Sequence, residues 1–433
     1  MVCGRPDASC HDKTAQVRRP LGLSKGFIMK QTRPFPKIFI TSKAARSLKN
    51  GHPWVYADEI ISTEGDLTDG CIADCFEGAG WQGAGFYNSQ SKILVRIISR
   101  NTNDVFDYKF WYRRILYAVR YRMTVMQGDD FRCCRIIHGE ADQMPGFTCD
   151  RYGDIAVTQI ACLGLEQRKE EIYRALTDVF EETGQPLKGI YERNELALRT
   201  KEGLDLYKGW YGGGEHSCIT EITENGIRYS VDVANGQKTG FFLDQKYNRL
   251  AAARIAKDKN VLDCFTHTGS FGLNCAYNGA KHVTSVDISS QAIEMARENA
   301  VRNGLEDKID YVCEDVFELL TRMAEKKDHR FDYIILDPPA FTKSRQTVDS
   351  AGRGYKEINL KAMKLLPRGG YLATCSCSHF MTDELFRKML ASAARDASVS
   401  LRQIEARTQA PDHPILWNVP ETDYLKFYIF QIV

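Results

Sequence analysis

The sequence predicts an α/β protein in three parts: a Rossmann-like domain built on a parallel sheet, preceded by a small β-barrel and a small α+β domain. Three observations carry this. Beyond about residue 225, apolar runs ("NVLDCF", "HVTSVDIS", "IDYVCED", "FDYIILDPP", "GYLATCSCS") alternate with helical stretches such as "SQAIEMARENAVRNG" and "GYKEINLKAMKLL". Strand and helix at that pitch mean a parallel sheet with helices on both faces. Residues 33–100 show instead short alternating runs cut by glycine, among them "KIFITSK", "CIADCFEG" and "KILVRIISR", the pattern of a small all-β module. A chain of 433 residues is also too long for one ordinary core.

Composition narrows the class. Hydrophobic content of 43% with 26% charged residues is that of a globular protein in water, and no apolar run approaches the ~18 residues of a membrane helix. A net charge of +2 argues neither for nor against nucleic acid, so any electrostatic footprint has to be local. The 14 cysteines are scattered and lack the dense spacing of secreted disulfide scaffolds, so reduced thiols and a cytoplasmic location are expected. The pairs Cys71/Cys75, Cys133/Cys134 and Cys375/Cys377 have no second pair at finger-like spacing, and no metal is expected.

Taken in order, residues 1–32 are polar and aperiodic and read as a disordered leader, with Met29 as an alternative start. Residues 33–104 form the barrel. Lys37, Lys43, Arg46, Lys49, Lys92, Arg96 and Arg100 give it a basic cast with aromatics nearby, which suits RNA; solvated surface charge accounts for it equally well. Residues 105–195 form the α+β domain. It opens with a helix over 108–127, whose arginines face either phosphates or solvent, and continues through "RCCRIIHGEADQMPGFTCDRYGDIAVTQI", a helix over 165–182 and the strand "KGIYER". Residues 196–433 hold the Rossmann-like domain.

Four strands of that domain finish on an acid: Asp263, Asp287, Asp315 and Asp337, spaced 24, 28 and 22 residues apart. Each βα unit thus delivers a carboxylate to the carboxyl edge of the sheet, where open α/β folds bind ligands. The first loop, "DCFTHTGSFG", is not the glycine fingerprint that lets backbone approach a pyrophosphate. Phe265, Thr266 and Thr268 border the turn and Gly269 opens the helix, an arrangement that S-adenosylmethionine, with no phosphate to cradle, tolerates. Asp287 would accept from the ribose hydroxyls, and Asp315 is placed for the adenine amine.

In "ILDPPAF", Pro338 and Pro339 fix the backbone after Asp337 and withdraw its N–H donors, leaving carboxylate and carbonyl to face a substrate. Phe341 can stack on a planar base, which together suits a flipped nucleobase with an exocyclic amine; a purely structural turn is the alternative. One strand later, "YLATCSCSHFM" places Cys377 opposite Asp337. Carbon 5 of cytosine is too electron-poor to attack a sulfonium methyl unless a thiolate first adds to carbon 6. A free thiol titrates near 8.5, so the site is expected to lower Cys377. A buried core cysteine is the plain alternative.

These residues, with "HPWVY", "GEADQMPGFTCDRYGD", "DVANGQKTGFFLDQKYNR", "RGYKEINLKAMKLL" and "DHPI", make the chain similar from about residue 36 onward to the RlmI-type large-subunit rRNA (cytosine-carbon 5) methyltransferases. The resemblance implies a PUA-like barrel, a central α+β domain and a class I methyltransferase domain using S-adenosyl-L-methionine. It implies that Lys238, Phe242 and Gln245 help wall the cofactor pocket, that Cys377 is the nucleophile, and that Cys375 is strand packing. The expected partner is large-subunit rRNA, naked or partly assembled, with no membrane and a homodimer left open. Two other readings stand beside it: methylation of an exocyclic amine of adenine or guanine, which needs no nucleophile, and a catalytically inactive RNA-binding protein.

Overall fold

The computed structural model describes residues 33–433 apart from Glu215 and Lys343, so the expected leader lies outside the described residues. The first sheet has six strands between Lys37 and Ser99. Its two edge strands, Trp54–Tyr56 and Ile60–Glu64, are joined only by the turn Ala57–Glu59, so the sheet must curl until its edges approach each other. Alternate residues fill the resulting barrel, among them Ile38, Ile40, Val55, Val95 and Ile97, and the helix Ser42–Lys49 adds Leu48.

The second domain opens with the expected helix, Tyr108–Val125, capped by the Asp107 carboxylate on the Phe110 amide. Its sheet runs Tyr207–Trp210, Gly189–Asn194, Ile155–Ile160, Phe147–Tyr152, Cys133–His138. The expected boundary at 195 falls inside this sheet, because Tyr207–Trp210 pairs antiparallel with Gly189–Asn194. The helix expected over 165–182 is two, Leu163–Glu166 and Lys169–Glu182. One helix arginine faces neither phosphate nor solvent. Arg122 is fully buried and donates to both Asp142 oxygens and to the carbonyls of Arg135 and Asp412, binding this helix to a loop nearly three hundred residues away.

The third sheet is built from β1 (Asn260–Cys264), β2 (His282–Asp287), β3 (Ile309–Cys313), β4 (Tyr333–Leu336), β5 (Tyr371–Ser376), β6 (Leu401–Arg407) and β7 (Lys426–Ile432). Their order is 3-2-1-4-5-7-6; the first five are parallel and β7 runs antiparallel to both its neighbours. The helices α1 (Ser270–Tyr277), α2 (Ser290–Arg302), α3 (Val316–Lys326), α4 (Val348–Leu365) and α5 (Asp383–Asp396) connect them. Strands covered on both faces are largely apolar, most plainly β4, where all four residues are buried apolar side chains. Val261, Ile335 and Ala373 face one core, while Leu262, Ile334 and Leu372 face the other. The first core continues through the hairpin Ile219–Glu224/Ile227–Asp232 into Tyr152 and Val157 of the central sheet. Within that seam Arg249, on the helix Lys246–Ile255, forms a buried pair with Glu224.

Candidate active site

The four acids reach the carboxyl edge of the sheet as expected, but they do different work. Asp263, in β1, is fully buried; its Oδ2 accepts from the Thr266 hydroxyl and from the Gly272 amide at 2.8 Å. Burial pushes its carboxyl up to about 7 despite those two donors. Asp287 ends β2 and accepts from the His267 amide at 2.9 Å and the Ser289 amide at 2.9 Å, tying the first loop to the second strand. Asp315 is the N-cap of α3: one oxygen takes the Phe317 and Glu318 amides. Asp337 follows β4, and burial raises it to about 6.

The loop between β1 and α1 is held in a costly shape. Phe265 and His267 take positive φ values of 64° and 49°, where side chains other than glycine are disfavoured, and Gly269 follows at 84°. No glycine pattern announces this. It is imposed by the Thr266 amide on the Val286 carbonyl and by the clamps from Asp263 and Asp287. Gly269 and Gly272 then let α1 lie against the sheet: a Cβ on Gly272 would stand 2.4 Å from the Ser285 hydroxyl and 3.0 Å from Asp263.

The pocket residues named from the family's motif converge on the same edge. The exposed Lys238 lies over the Phe242 ring at 5.9 Å, and Phe242 meets the His267 ring edge-on at 5.3 Å. Gln245 is buried and donates to Asp337 at 3.2 Å and to the Cys375 sulfur at 3.6 Å. The prolines divide, Pro338 buried and Pro339 exposed. Phe341 departs from expectation. Its ring packs on Tyr355 at 4.6 Å and Phe317 at 5.8 Å, in a row of rings that runs back to Phe265, so a base can reach only the part left uncovered.

Two expectations about the cysteines need correcting. The thiol that meets Asp337 is Cys375, fully buried, donating at 3.1 Å to Oδ1 and at 3.3 Å to the Leu336 carbonyl. The end of the strand causes this: Cys375 is still within β5 and points into the first core toward β4, whereas Cys377 lies just past its end, partly exposed. The site also fails to lower Cys377. Burial, followed by the Asp337 and Asp244 carboxylates, pushes its thiol up to about 11, with Lys238 opposing.

Three neighbours were not singled out from sequence. Asp244 accepts from the Tyr424 hydroxyl at 2.6 Å, and its other oxygen is closed to solvent without a partner. Lys426 donates to the Ser378 carbonyl at 2.6 Å, and burial lowers its ammonium to about 8. Ile288, directly after Asp287, is an aliphatic residue left 70% exposed. Asp244 adjoins Gln245 in a motif already quoted; the other two carry no local signal.

The fit to a cofactor follows from this donor set. Four carboxylates line the edge without an anion cradle, and the buried Asp263 Oδ1 and Thr268 Oγ1 have no hydrogen-bond partner. A cationic ligand with amine and hydroxyl donors suits such a site, whereas a pyrophosphate does not. Among the described residues no cluster of three or more His, Cys, Asp or Glu is placed to hold a metal ion.

Comparison with known proteins decides the family. The family model of S-adenosylmethionine-dependent methyltransferases matches residues 135–430, and a PUA-like domain model matches residues 38–100. Ribosomal RNA large subunit methyltransferase I of Klebsiella pneumoniae (strain 342) is 38% identical over 92% of this chain and 99% of its own length. The chain belongs to the ribosomal RNA large subunit methyltransferase I family. A relative of the same name from Pseudoalteromonas translucida is 38% identical over 91% of this chain and 99% of its own. Solved structures agree on the methyltransferase fold. A Streptococcus mutans protein described as a SAM-dependent methyltransferase superposes with a TM-score of 0.76 at 22% identity, covering 91% of this chain and 99% of that one. A methyltransferase structure complexed with SAH gives 0.78 at the same identity and coverage. As a member of this methyltransferase family the chain is an S-adenosylmethionine-dependent enzyme with a PUA-like domain at its N-terminal side. Among the described residues no helix is long and apolar enough to cross a membrane.

Proposed function

We propose that this methyltransferase modifies carbon 5 of a cytosine in large-subunit rRNA, the RNA for which its relatives are named, through a covalent adduct on Cys377. The observation that carries the reading is that the adjacent strands β4 and β5 end together at a carboxylate-lined edge, Asp337 following the first and Cys377 lying just past the second, with Cys375 the thiol in contact with Asp337. Asp263, Asp287, Asp315, Thr268 and the Lys238–Gln245 segment would hold the cofactor, which when bound supplies an electrophilic methyl group.

The residues then divide the chemistry. Cys377 would give its proton to solvent as its sulfur bonds to carbon 6 and sends an electron pair to carbon 5, which would take the methyl group as its bond to the cofactor's sulfur breaks. Asp337, near 6, exchanges a proton readily at neutral pH and can hold the ring's nitrogen 3 and amine while that pair moves. Loss of the carbon 5 proton and cleavage of the carbon–sulfur bond return the aromatic ring and the thiol. Gln245 and Cys375 fix the Asp337 carboxylate from behind.

One observation favours methylation of an exocyclic amine instead: the resting site holds Cys377 as a thiol. Trapping separates the two. The protein is incubated with cofactor and rRNA carrying 5-fluorocytosine, digested, and searched by mass spectrometry. A nucleotide on the Cys377 peptide is the expected result. Methylation of ordinary rRNA without any adduct on the fluorinated RNA transfers the reading to the amine.

A further inference from the structure

Beyond Cys377 the sheet edge opens into a cleft of about 1010 Å³. It lies on the β5–β7–β6 side and is lined by none of the β1–β3 acids that make up the cofactor side. One wall is α5, with Asp383 and Arg387; the other is the loop 409–423. The floor includes Arg407 at the end of β6 and Lys426 at the start of β7. The cleft is continuous with the catalytic strand. Lys426 is the register partner of Ser376 and bonds the Ser378 carbonyl, and His379, two residues past Cys377, lines it.

Most of its exposed lining is apolar, with an aromatic rim and a few charged groups set into it. Arg387 pairs loosely with Asp383 at 3.9 Å, an acid also engaged by the Tyr428 hydroxyl; Arg407 pairs with Glu405 at 3.4 Å, and Lys426 is held by the Ser378 and Tyr424 carbonyls, so the two arginines would exchange these partners for phosphates. Trp417, at the rim, is 97% exposed. An indole left in water is unusual, and this one is not on a loose tip. Thr422 closes the loop beneath it, accepting from the Leu416 amide at 2.9 Å and donating to the Val419 carbonyl at 2.7 Å. Gln409 donates to the Thr422 carbonyl across the loop's base. The far side of the loop touches the barrel, with Glu421 on His52 at 3.3 Å and Asn418 against Gly51. The loop that carries Trp417 therefore joins the PUA-like domain to the wall of the cleft.

Cations along a groove with a rigid exposed aromatic are the elements that hold a single strand of nucleic acid without reading its sequence. We propose that this cleft receives the single-stranded RNA flanking the target nucleotide, with one base stacked on Trp417 and the neighbouring phosphates on Arg387 and Arg407. This rests on the RNA-methylation reading above and adds the path of the strand; it is indifferent to which atom of the base is methylated.

The test uses the full chain, a short unstructured cytosine-containing RNA, and S-adenosylhomocysteine as a control ligand. RNA is expected to quench tryptophan fluorescence, and Trp417→Phe is expected to lose most of the quench while keeping most of the affinity. Trp417→Ala should bind RNA between about fivefold and about a hundredfold more weakly. Arg387→Glu with Arg407→Glu should weaken binding and flatten its salt dependence by a slope of about 1–2. S-adenosylhomocysteine affinity should not change in any of them. RNA affinities within about twofold of the parent protein would overturn the proposal and leave the cleft to another partner. A parallel loss of S-adenosylhomocysteine binding would also overturn it, by showing that Trp417 supports the fold. The 5-fluorocytosine adduct is read separately, so failure there leaves this binding result standing.

Discussion

At the scale of single residues, the environment assigns roles that residue identity alone leaves open. Asp263 and Asp337 were legible from sequence as strand-ending acids, and both are where expected. Their protonation was not legible, because it depends on burial that only the folded sheet creates. Asp263 binds its proton more tightly folded than unfolded, rising from an ordinary carboxyl value to about 7. The stability tied to that proton is complete below about pH 4 and is lost as pH rises through about 7. Asp263→Asn removes the ionisation, so the variant should gain on the parent protein by on the order of 1–4 kcal/mol between pH 4 and 8. Urea denaturation at a series of pH values measures this, and a pH-independent difference would sink the idea. The cysteines show the same limit. "CSC" located the pair, but which thiol touches Asp337 depends on strand register, and the burial that raises Cys377 where a lowered thiol was expected could not be read from "SCSHFM".

At the scale of elements, the alternation of strand and helix was readable because covered strands are largely apolar runs and their helices are not. The four βα units and the helices over "SQAIEMARENAVRNG" and "GYKEINLKAMKLL" follow from that contrast. The break between Leu163–Glu166 and Lys169–Glu182 was missed because no proline or glycine marks it. The strained first loop was missed for a related reason: two non-glycine residues carry positive φ on the strength of distant hydrogen bonds. Close approach of α1 to β2 gives a direct test. Gly272→Ala would gain ~0.5–1 kcal/mol of helix propensity, but its methyl meets Ser285 at 2.4 Å. Overpacking at that distance costs about 1–3 kcal/mol, so the variant should be less stable. Adding Ser285→Ala removes the nearer contact and should restore part of the loss in a double-mutant cycle. Strictly additive effects would count against the contact.

At the scale of the whole molecule, the domains are welded rather than strung. The division at residue 195 expected from sequence fails because the central sheet takes a strand from beyond it, and a pairing across such a loop has no local signature. Arg122 illustrates the weld: its side chain satisfies Asp142 and two carbonyls, one of them in the loop that carries Trp417. Arg122→Met leaves those acceptors buried and unpaired and should cost about 3–5 kcal/mol. Chemical denaturation should then show the loop and central helix losing protection before the catalytic sheet; a single unchanged transition would contradict this coupling. The position of β7 has a different consequence, for synthesis. It sits between β5 and β6, yet it is the last strand of the sheet to be made. While a ribosome is still adding the 56 residues from Cys377 to Ile432, the strand that leads to Cys377 waits as an open edge, and β6 has nothing to pair with. At ~5–20 residues per second that interval lasts roughly 3–11 seconds. A nascent chain of this enzyme therefore spends those seconds with one edge of its catalytic strand unpaired, the window in which a chaperone would matter most.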